Sequence, residues 1–296
     1  MKNQVLSTLL LACACGSTNA RQTTAPVSAS VRAPDGVPIS CDVRGTGTTG
    51  LVFIHGWCCD HTFWLGQLDV FAADYRVVSL DLGGHGASGA NRETWSVRGL
   101  AGDVQAVVDA LPLERVILVG HSMGGPVSLF AAARMPEKVV AVIGVDTLHN
   151  VEIQFPKELA AQLEEKFRDD FRGTMTQFVQ STFAEGADPS VVKWTIGKAC
   201  AANTTAAIGL FRDFENLELA KALEAAKVPV RCINAAPRPP LGMPTDVEAN
   251  RRHGDFDVVI MEGVGHFPML EKPAEFNAKL RSVLAHLPQR KPGEGH

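Results

Sequence analysis

A short apolar run that leads into a glycine-bracketed serine constrains this chain more than any other stretch. Residues 116–119 read V-I-L-V, which is typical of a strand buried on both faces of a parallel sheet. The sequence continues as G-H-S-M-G at 120–124, and an alanine-rich helical pattern follows as far as Arg134. A serine on so sharp a strand-to-helix turn needs neighbours without side chains. The context predicts that Ser122 is an exposed nucleophile at a helix N-terminus.

Composition and charge exclude several classes of partner. The 296 residues are 46% hydrophobic and 20% charged, as in an ordinary globular protein with a sizeable core. A net charge of −4 and a pI near 6.1 do not indicate the basic surface that nucleic-acid-binding proteins usually have. The nine histidines contain no H-E-x-x-H pattern, and no cysteine spacing resembles a metal site. We therefore expect neither a nucleic-acid partner nor a metal or other cofactor.

The N-terminal residues 1–25 have the pattern of a leader followed by a polar linker. A positive charge precedes an apolar run at 5–14 that is too short to span a bilayer, as in secretory signals. The tetrapeptide L-L-A-C ending at Cys13 resembles a bacterial lipobox, and Cys15 is a second candidate for acylation. Cleavage after Ala20 would instead release a soluble protein. We predict export, either to the periplasm or to the bacterial envelope through a lipidated Cys13.

Beyond the leader, strand and helix patterns alternate along the chain. A D-G turn signal at 35–36 separates the first two strands as a hairpin. The alternation that follows predicts a mainly parallel sheet with helices on both faces, which is an α/β fold. The predicted strands are 27–32, 37–44, 51–54, 76–80, 116–119, 139–145, 228–233 and 256–261.

The strand signal stops between residues 151 and 226. Four amphipathic helix patterns occupy this stretch, around 158–170, 174–183, 191–202 and 205–218. A helical insertion beside a parallel sheet suggests a cap over the carboxyl edge of the strands, where open α/β sheets bind ligands. The predicted organisation is therefore a core of 26–150 and 227–288 with a helical cap at 151–226. The insertion holds seven of the 14 phenylalanines, and one or two facing the cleft would favour an apolar substrate portion.

Four glycine-containing motifs occur in order: H-G-W at 55–57, D-x-x-G-H-G-x-S at 81–88, G-H-S-M-G-G at 120–125 and G-H-F at 265–267. Together they resemble the α/β-hydrolase fold superfamily, and specifically its esterase-like serine hydrolases with a helical cap. The resemblance extends over about residues 51–287. It implies an eight-stranded, mostly parallel sheet and hydrolysis of an ester-like bond through an acyl-enzyme.

The resemblance assigns roles to individual residues. Ser122 is the nucleophile, and its hydroxyl requires a general base within hydrogen-bond reach. His266 follows the last predicted strand and fits the chain order of serine, acid and histidine. The backbone N–H of Met123 and, from the family match, that of Trp57 would form the oxyanion hole.

The third member of the triad is the point where the chain departs from the family pattern. The usual acid follows the seventh strand, but residues 234–245 contain no carboxylate, and the first one is Asp246. Asp146 ends the strand after the nucleophile strand, where some hydrolase-fold enzymes carry their acid. We assign Asp146 as the acid, with Asp246 as the alternative, since Asp246 reads equally well as the N-cap of a short helix.

The sequence therefore favours a carboxylesterase-like serine hydrolase that acts on a small ester-like molecule with an apolar portion. One alternative is a hydrolase-fold ligand-binding protein or receptor with little turnover. The only feature that favours it is the absence of the family's usual acid after the seventh strand. Another is a C–C hydrolase or perhydrolase that uses the same triad. Dehalogenases and epoxide hydrolases of this superfamily carry Asp where this chain has Ser122, which disfavours both.

Overall fold

The computed structural model describes residues 27–154, 156–237 and 242–288. The predicted leader and linker at 1–25, with Cys13, Cys15 and Ala20, lie outside the described residues. Within the described ranges, no helix is long and apolar enough to cross a membrane.

Eight strands form a single sheet in the order β1-β2-β4-β3-β5-β6-β7-β8. The strands β1 and β2 pair antiparallel, as do β2 and β4, and all other neighbours are parallel. The predicted eight-stranded, mostly parallel sheet is confirmed. The strands are β1 (Val27–Arg32), β2 (Pro38–Arg44), β3 (Thr49–Ile54), β4 (Arg76–Leu80), β5 (Arg115–His121), β6 (Val139–Val145), β7 (Val230–Ala235) and β8 (Phe256–Met261).

Helices cover both faces of this sheet, and the apolar core forms one layer on each side. Along β3, Val52 and Ile54 pack into one layer, whereas Leu51 and Phe53 pack into the other, which is the period of two expected for a strand. The helices are α1 (Leu65–Ala72), α2 (Val97–Ala110), α3 (Gly124–Arg134), α4 (Lys157–Asp169), α5 (Phe171–Thr182), α6 (Pro189–Cys200), α7 (Thr204–Asp213), α8 (Leu219–Ala226), α9 (Val247–Arg251), α10 (Pro268–Glu271) and α11 (Pro273–Ala285).

The helical insertion (residues 151–226) lies between β6 and β7 and contains α4 to α8. Its last two helices differ from the sequence prediction of one helix over 205–218. The helix α7 ends at Asp213, a short 3-10 turn spans Phe214–Asn216, and the unpredicted α8 follows. Leu223 of α8 is buried in the core layer that also contains α3. The insertion is therefore anchored to the sheet domain by its last helix.

Candidate active site

The turn between β5 and α3 holds Ser122 in left-handed backbone, with a φ of +51°. Glycine is required on both sides of it. A Cβ on Gly120 would lie 2.1 Å from the carbonyl oxygen of Gly124, and one on Gly124 would lie 2.5 Å from the carbonyl oxygen of Ile54. The N–H of Ser122 donates to the carbonyl of Val145 at 3.0 Å. Close packing against β3 and β6 thus holds the serine in a conformation that a non-glycine residue rarely adopts.

His266 and Asp146 form a hydrogen-bonded pair in which Nδ1 of the imidazole lies 2.5 Å from Oδ2 of the carboxylate. With its proton on Nδ1, neutral His266 has Nε2 available as a base. Burial alone would raise the pKa of Asp146, but the hydrogen bonds from His266 and from the N–H of Ala235 hold it below its usual value. The pair is therefore an ionised carboxylate against an imidazole.

The structure brings Asp146, and not Asp246, to His266. Asp146 follows the last residue of β6, with a φ of +46°, and its N–H donates to the carbonyl of Ile233 in β7 at 3.0 Å. Parallel strands place their carboxyl ends at one edge of the sheet, so Asp146 reaches the edge that also carries Ser122. Asp246 instead caps α9, where its carboxylate accepts from the N–H of Ala249 at 2.9 Å.

The loop that carries His266 is bonded to the helical insertion. The N–H of His266 donates to the carbonyl of Thr182 at 2.8 Å. The carboxylate of Glu271 accepts from the N–H of Gly265 at 2.9 Å and from the N–H of Ala184 at 3.1 Å. Glu271 therefore joins the histidine loop to the end of α5. Sequence reasoning missed this residue, because no local pattern marks a carboxylate whose partners are distant backbone groups.

A second histidine, His149, faces the carboxylate of Asp146 from the opposite side. Its Nε2 lies 3.7 Å from Oδ1 of Asp146, and its Nδ1 lies 3.2 Å from Oγ1 of Thr245 and 3.4 Å from Nδ2 of Asn234. Burial lowers the pKa of His149, although the nearby carboxylate acts in the other direction. The imidazole is therefore neutral at ordinary pH. The side chain of His149 lines the cavity described below.

His121, the neighbour of the serine in sequence, is fully buried. Its Nε2 lies 2.7 Å from the carbonyl oxygen of His266, so it donates there and supports the histidine loop. Burial, followed by the proximity of His266, lowers the pKa of His121 to about 3.

The H-G-W loop passes directly beside the nucleophile. A Cβ on Gly56 would lie 3.2 Å from Cβ of Ser122. His55 shapes this loop, since its Nε2 accepts from the N–H of Leu82 at 3.0 Å and its Nδ1 donates to the carbonyl of Gly56 at 2.8 Å. Burial lowers the pKa of His55, which keeps this tautomer neutral.

The two N–H groups expected in the oxyanion hole are those of Trp57 and Met123. Among the backbone hydrogen bonds of the described residues, none uses either group. Met123 lines the cavity described next. The Trp57 side chain packs into the insertion, where its indole N–H donates to the carbonyl of Ala207 at 2.9 Å and its ring contacts Phe178 and Phe214.

A cavity of about 580 Å³ opens above this edge of the sheet and contains Ser122, Asp146 and His266 in its wall. Two of the seven phenylalanines of the insertion, Phe178 and Phe214, line it. In the described part of the chain, no group of three or more His, Cys, Asp or Glu side chains could hold a metal ion. The further apolar side chains of the wall are Met123, Leu148, Ile153, Leu159, Leu217, Leu219, Met243 and Val264.

A second carboxylate–imidazole pair joins Asp81 of the D-x-x-G-H-G-x-S loop to His61, which lies outside that loop. Asp81 accepts from Nδ1 of His61 at 2.9 Å, from the N–H of His61 at 2.7 Å and from the N–H of Ala87 at 2.8 Å. Burial acts to raise the pKa of Asp81, but these hydrogen bonds lower it to about 2. The hydrogen bond to Asp81 in turn raises the pKa of His61.

Comparison with known proteins identifies the fold. The family model of the alpha/beta hydrolase fold matches residues 50–190. An esterase (EaEST) from Exiguobacterium antarcticum superimposes with a TM-score of 0.79 at 21% identity, covering 88% of this chain and 100% of that one. The enol-lactonase from Burkholderia xenovorans gives 0.75 at 19% identity, covering 88% and 100%. At these identities the likeness shows the fold alone.

Sequence relatives match mostly over part of their length. The dihydrolipoyllysine-residue acetyltransferase component of the acetoin cleaving system from Cupriavidus necator is 38% identical over 36% of this chain and 29% of its own. The same component from Pseudomonas putida is 39% identical over 34% and 27%. The chain thus spans less than a third of these curated relatives. The AB hydrolase superfamily protein YisY from Bacillus subtilis is 24% identical over 77% of this chain and 88% of its own.

Proposed function

We propose that this chain, which has the α/β-hydrolase fold, is a serine hydrolase that cleaves a carboxylic ester or a related acyl bond. The observation that carries the proposal is the 2.5 Å bond between His266 and Asp146 in the wall of the cavity that also contains Ser122. A serine becomes a nucleophile when a base with the correct tautomer shares its site, and the Asp146 bond selects that tautomer.

In the first half of the reaction, Oγ of Ser122 attacks the acyl carbon while its proton moves to Nε2 of His266. The carboxylate of Asp146 stabilises the imidazolium that forms. The negative oxygen of the tetrahedral intermediate accepts from the N–H groups of Met123 and Trp57, and losing one such donor typically costs about 3–4 kcal/mol. The bond to the leaving oxygen then breaks, and His266 protonates the departing alcohol.

In the second half, water hydrolyses the acyl-enzyme. His266 takes a proton from the water, whose oxygen attacks the carbonyl carbon of the ester formed on Ser122. The new tetrahedral intermediate uses the same two N–H groups, and its collapse releases the acid. His266 returns the proton to Oγ of Ser122, so the cycle needs no metal or cofactor.

A C–C hydrolase or a perhydrolase would use the same three side chains, and the carboxylic ester remains our first choice. A ligand-binding protein with little turnover would not need a base with a buried carboxylate behind it. The proposed substrate is a small molecule with an apolar portion, because Phe178, Phe214 and their neighbours make much of the cavity wall apolar. For the same reason we propose that the helical insertion serves as the cap of this cavity.

Labelling with a fluorophosphonate probe tests the enzyme proposal. We expect phosphonylation of Ser122 with loss of fluoride, detected by mass spectrometry on the intact folded protein. The Ser122→Ala variant should remain unlabelled and lose hydrolysis of p-nitrophenyl acetate and butyrate. An unlabelled wild-type protein that hydrolyses none of these esters would contradict the proposal, whereas labelling without ester hydrolysis would favour the C–C or perhydrolase alternatives.

We also propose that the protein is exported, as its N-terminal pattern predicts. Expression of the full chain in a Gram-negative host should place it beyond the inner membrane. Membrane association that is lost in Cys13→Ser would support lipidation, while cytosolic recovery of an uncleaved chain would refute export.

A further inference from the structure

Four large apolar side chains that the structure leaves exposed gather at the cavity that contains Ser122. Ile153 is 52% exposed, Leu159 and Met243 are each 44% exposed, and Phe178 is 36% exposed. We call these four residues the apolar rim. They come from different segments: the stretch after β6, the helices α4 and α5, and the segment before α9. Single exposed apolar residues are normal, but several around one cleft mark a binding surface.

The cavity wall offers little to a charged ligand. Among the described lining residues, Asp146 is the only Asp, Glu, Lys or Arg, and its carboxylate is already bonded to His266. No Lys or Arg is among the described lining residues. A ligand carboxylate near the reacting bond would lose its hydration without gaining an opposite charge from these described lining residues, which is a large cost. An ammonium group would compete with His266 for its only carboxylate partner.

Resting on the proposed function, we propose that the substrate is an uncharged ester with a flexible hydrocarbon chain that runs from Ser122 out over the apolar rim. The rim is continuous with the catalytic cavity, so a chain that leaves the cavity stays in contact with apolar side chains. Each methylene removed from water stabilises the bound transition state, and this predicts about a fourfold gain in kcat/KM per methylene. The gain should stop where the chain passes the rim and meets water again.

The chain-length dependence is measured with p-nitrophenyl alkanoates from C2 to C12 and with alkyl acetates of the same range. We expect kcat/KM to rise over several methylenes in at least one series and then level off. We define the chain-length preference as kcat/KM for a long ester divided by kcat/KM for a short one. Leu159→Gln and Ile153→Asn should each lower this preference by several-fold. Leu65→Gln is the matched control, since Leu65 is 50% exposed on α1 and does not line the cavity.

A second set of substrates tests whether a charged group on the substrate lowers kcat/KM. The mono-p-nitrophenyl ester of an α,ω-dicarboxylic acid is compared with its methyl-capped form of equal length. We expect the free carboxylate to lower kcat/KM by at least tenfold when it lies within the cavity, and by less as a longer chain carries it beyond the rim.

The outcomes separate the inference from the proposed function. Hydrolysis of short esters with a flat chain-length profile in both series would overturn the inference and leave the serine hydrolase standing. An equal loss in Leu65→Gln would also overturn it, as would equal rates for charged and capped esters. Light scattering tests whether a second copy of the chain covers the apolar rim instead. If rim variants turn a dimer into a monomer without changing the dependence of kcat/KM on chain length, the rim is a self-association surface and the inference is wrong.

Discussion

Two carboxylate–imidazole pairs with almost the same local geometry lie in different regions of this molecule. The Asp146–His266 pair at the cavity is separated by 2.5 Å and the Asp81–His61 pair by 2.9 Å. The carboxylate side chains are 9% and 0% exposed, and the imidazoles are 25% and 27% exposed. Burial therefore does not distinguish the pair that we propose to be catalytic from the other one, and the two distances differ by only 0.4 Å.

The difference lies at the other nitrogen of each imidazole. Nε2 of His61 lies 3.9 Å from Oδ2 of a second carboxylate, Asp42. The hydrogen bond to Asp81 raises the pKa of His61, and the charges of Asp81 and Asp42 act in the same direction. His266 lies in the cavity wall that it shares with Ser122. An imidazole between two carboxylates is favoured in its charged form, whereas one that shares a cavity wall with a serine hydroxyl is proposed to exchange a proton with it. The following experiments test this contrast.

Asp146→Asn should have the largest effect on catalysis. Without the carboxylate, His266 loses both its tautomer control and the charge that stabilises the imidazolium, so we expect kcat to fall by about 10⁴. Steady-state ester hydrolysis measures this loss, and thermal unfolding checks that the fold is kept. A variant that retains most of its kcat would remove Asp146 from the triad.

Asp81→Asn should have the opposite pattern, with a loss of stability and little loss of activity per folded molecule. The substitution leaves His61 without its buried partner and weakens the bonds to two backbone N–H groups, which costs about 3 kcal/mol. Urea unfolding measures the free energy, and active-site titration with the fluorophosphonate probe normalises kcat. If kcat per titrated site fell as far as in Asp146→Asn, the contrast between the two pairs would fail.

The free energy of unfolding at acid pH should depend on the Asp81–His61 pair. The pKa of Asp81 in the folded protein is about 2, below the ordinary 3.8 of an unfolded chain. Its contribution is therefore complete above about pH 4 and is lost as the pH falls towards 2, with a size of about 2 kcal/mol. Free energies of unfolding for wild type and Asp81→Asn should converge over this range. A difference that stays constant with pH would show that ionisation of Asp81 is not its origin.

Asp246→Asn should have the smallest effect. Asn caps a helix about as well as Asp, so α9 keeps its cap, and we expect kcat to remain within about twofold of wild type. Should this variant lose activity while Asp146→Asn keeps it, the two carboxylates have been assigned in the wrong order.

Local patterns explain why much of the sheet and the nucleophile turn could be predicted. The β-branched runs give the strands directly, and the glycines around Ser122 are required by close backbone contacts that any such turn must make. Asp146 could be preferred to Asp246 from its place at the end of the strand after the nucleophile strand, but its bond to His266 depends on which strand end faces the histidine loop in the fold. Glu271 left no signal at all, since its partners, Gly265 and Ala184, meet only after the insertion has folded onto the loop.

The bonds from Thr182 and Ala184 to the histidine loop limit how relatives of this fold can be recombined. An insertion transplanted from another protein would have to place a backbone carbonyl at the N–H of His266 and a backbone N–H at the carboxylate of Glu271. A graft that does not would alter the placement of the base as well as the shape of the pocket. Chimeras that keep residues 182–184 with Glu271 should separate these two effects, because they exchange the pocket wall while leaving the support of His266 in place.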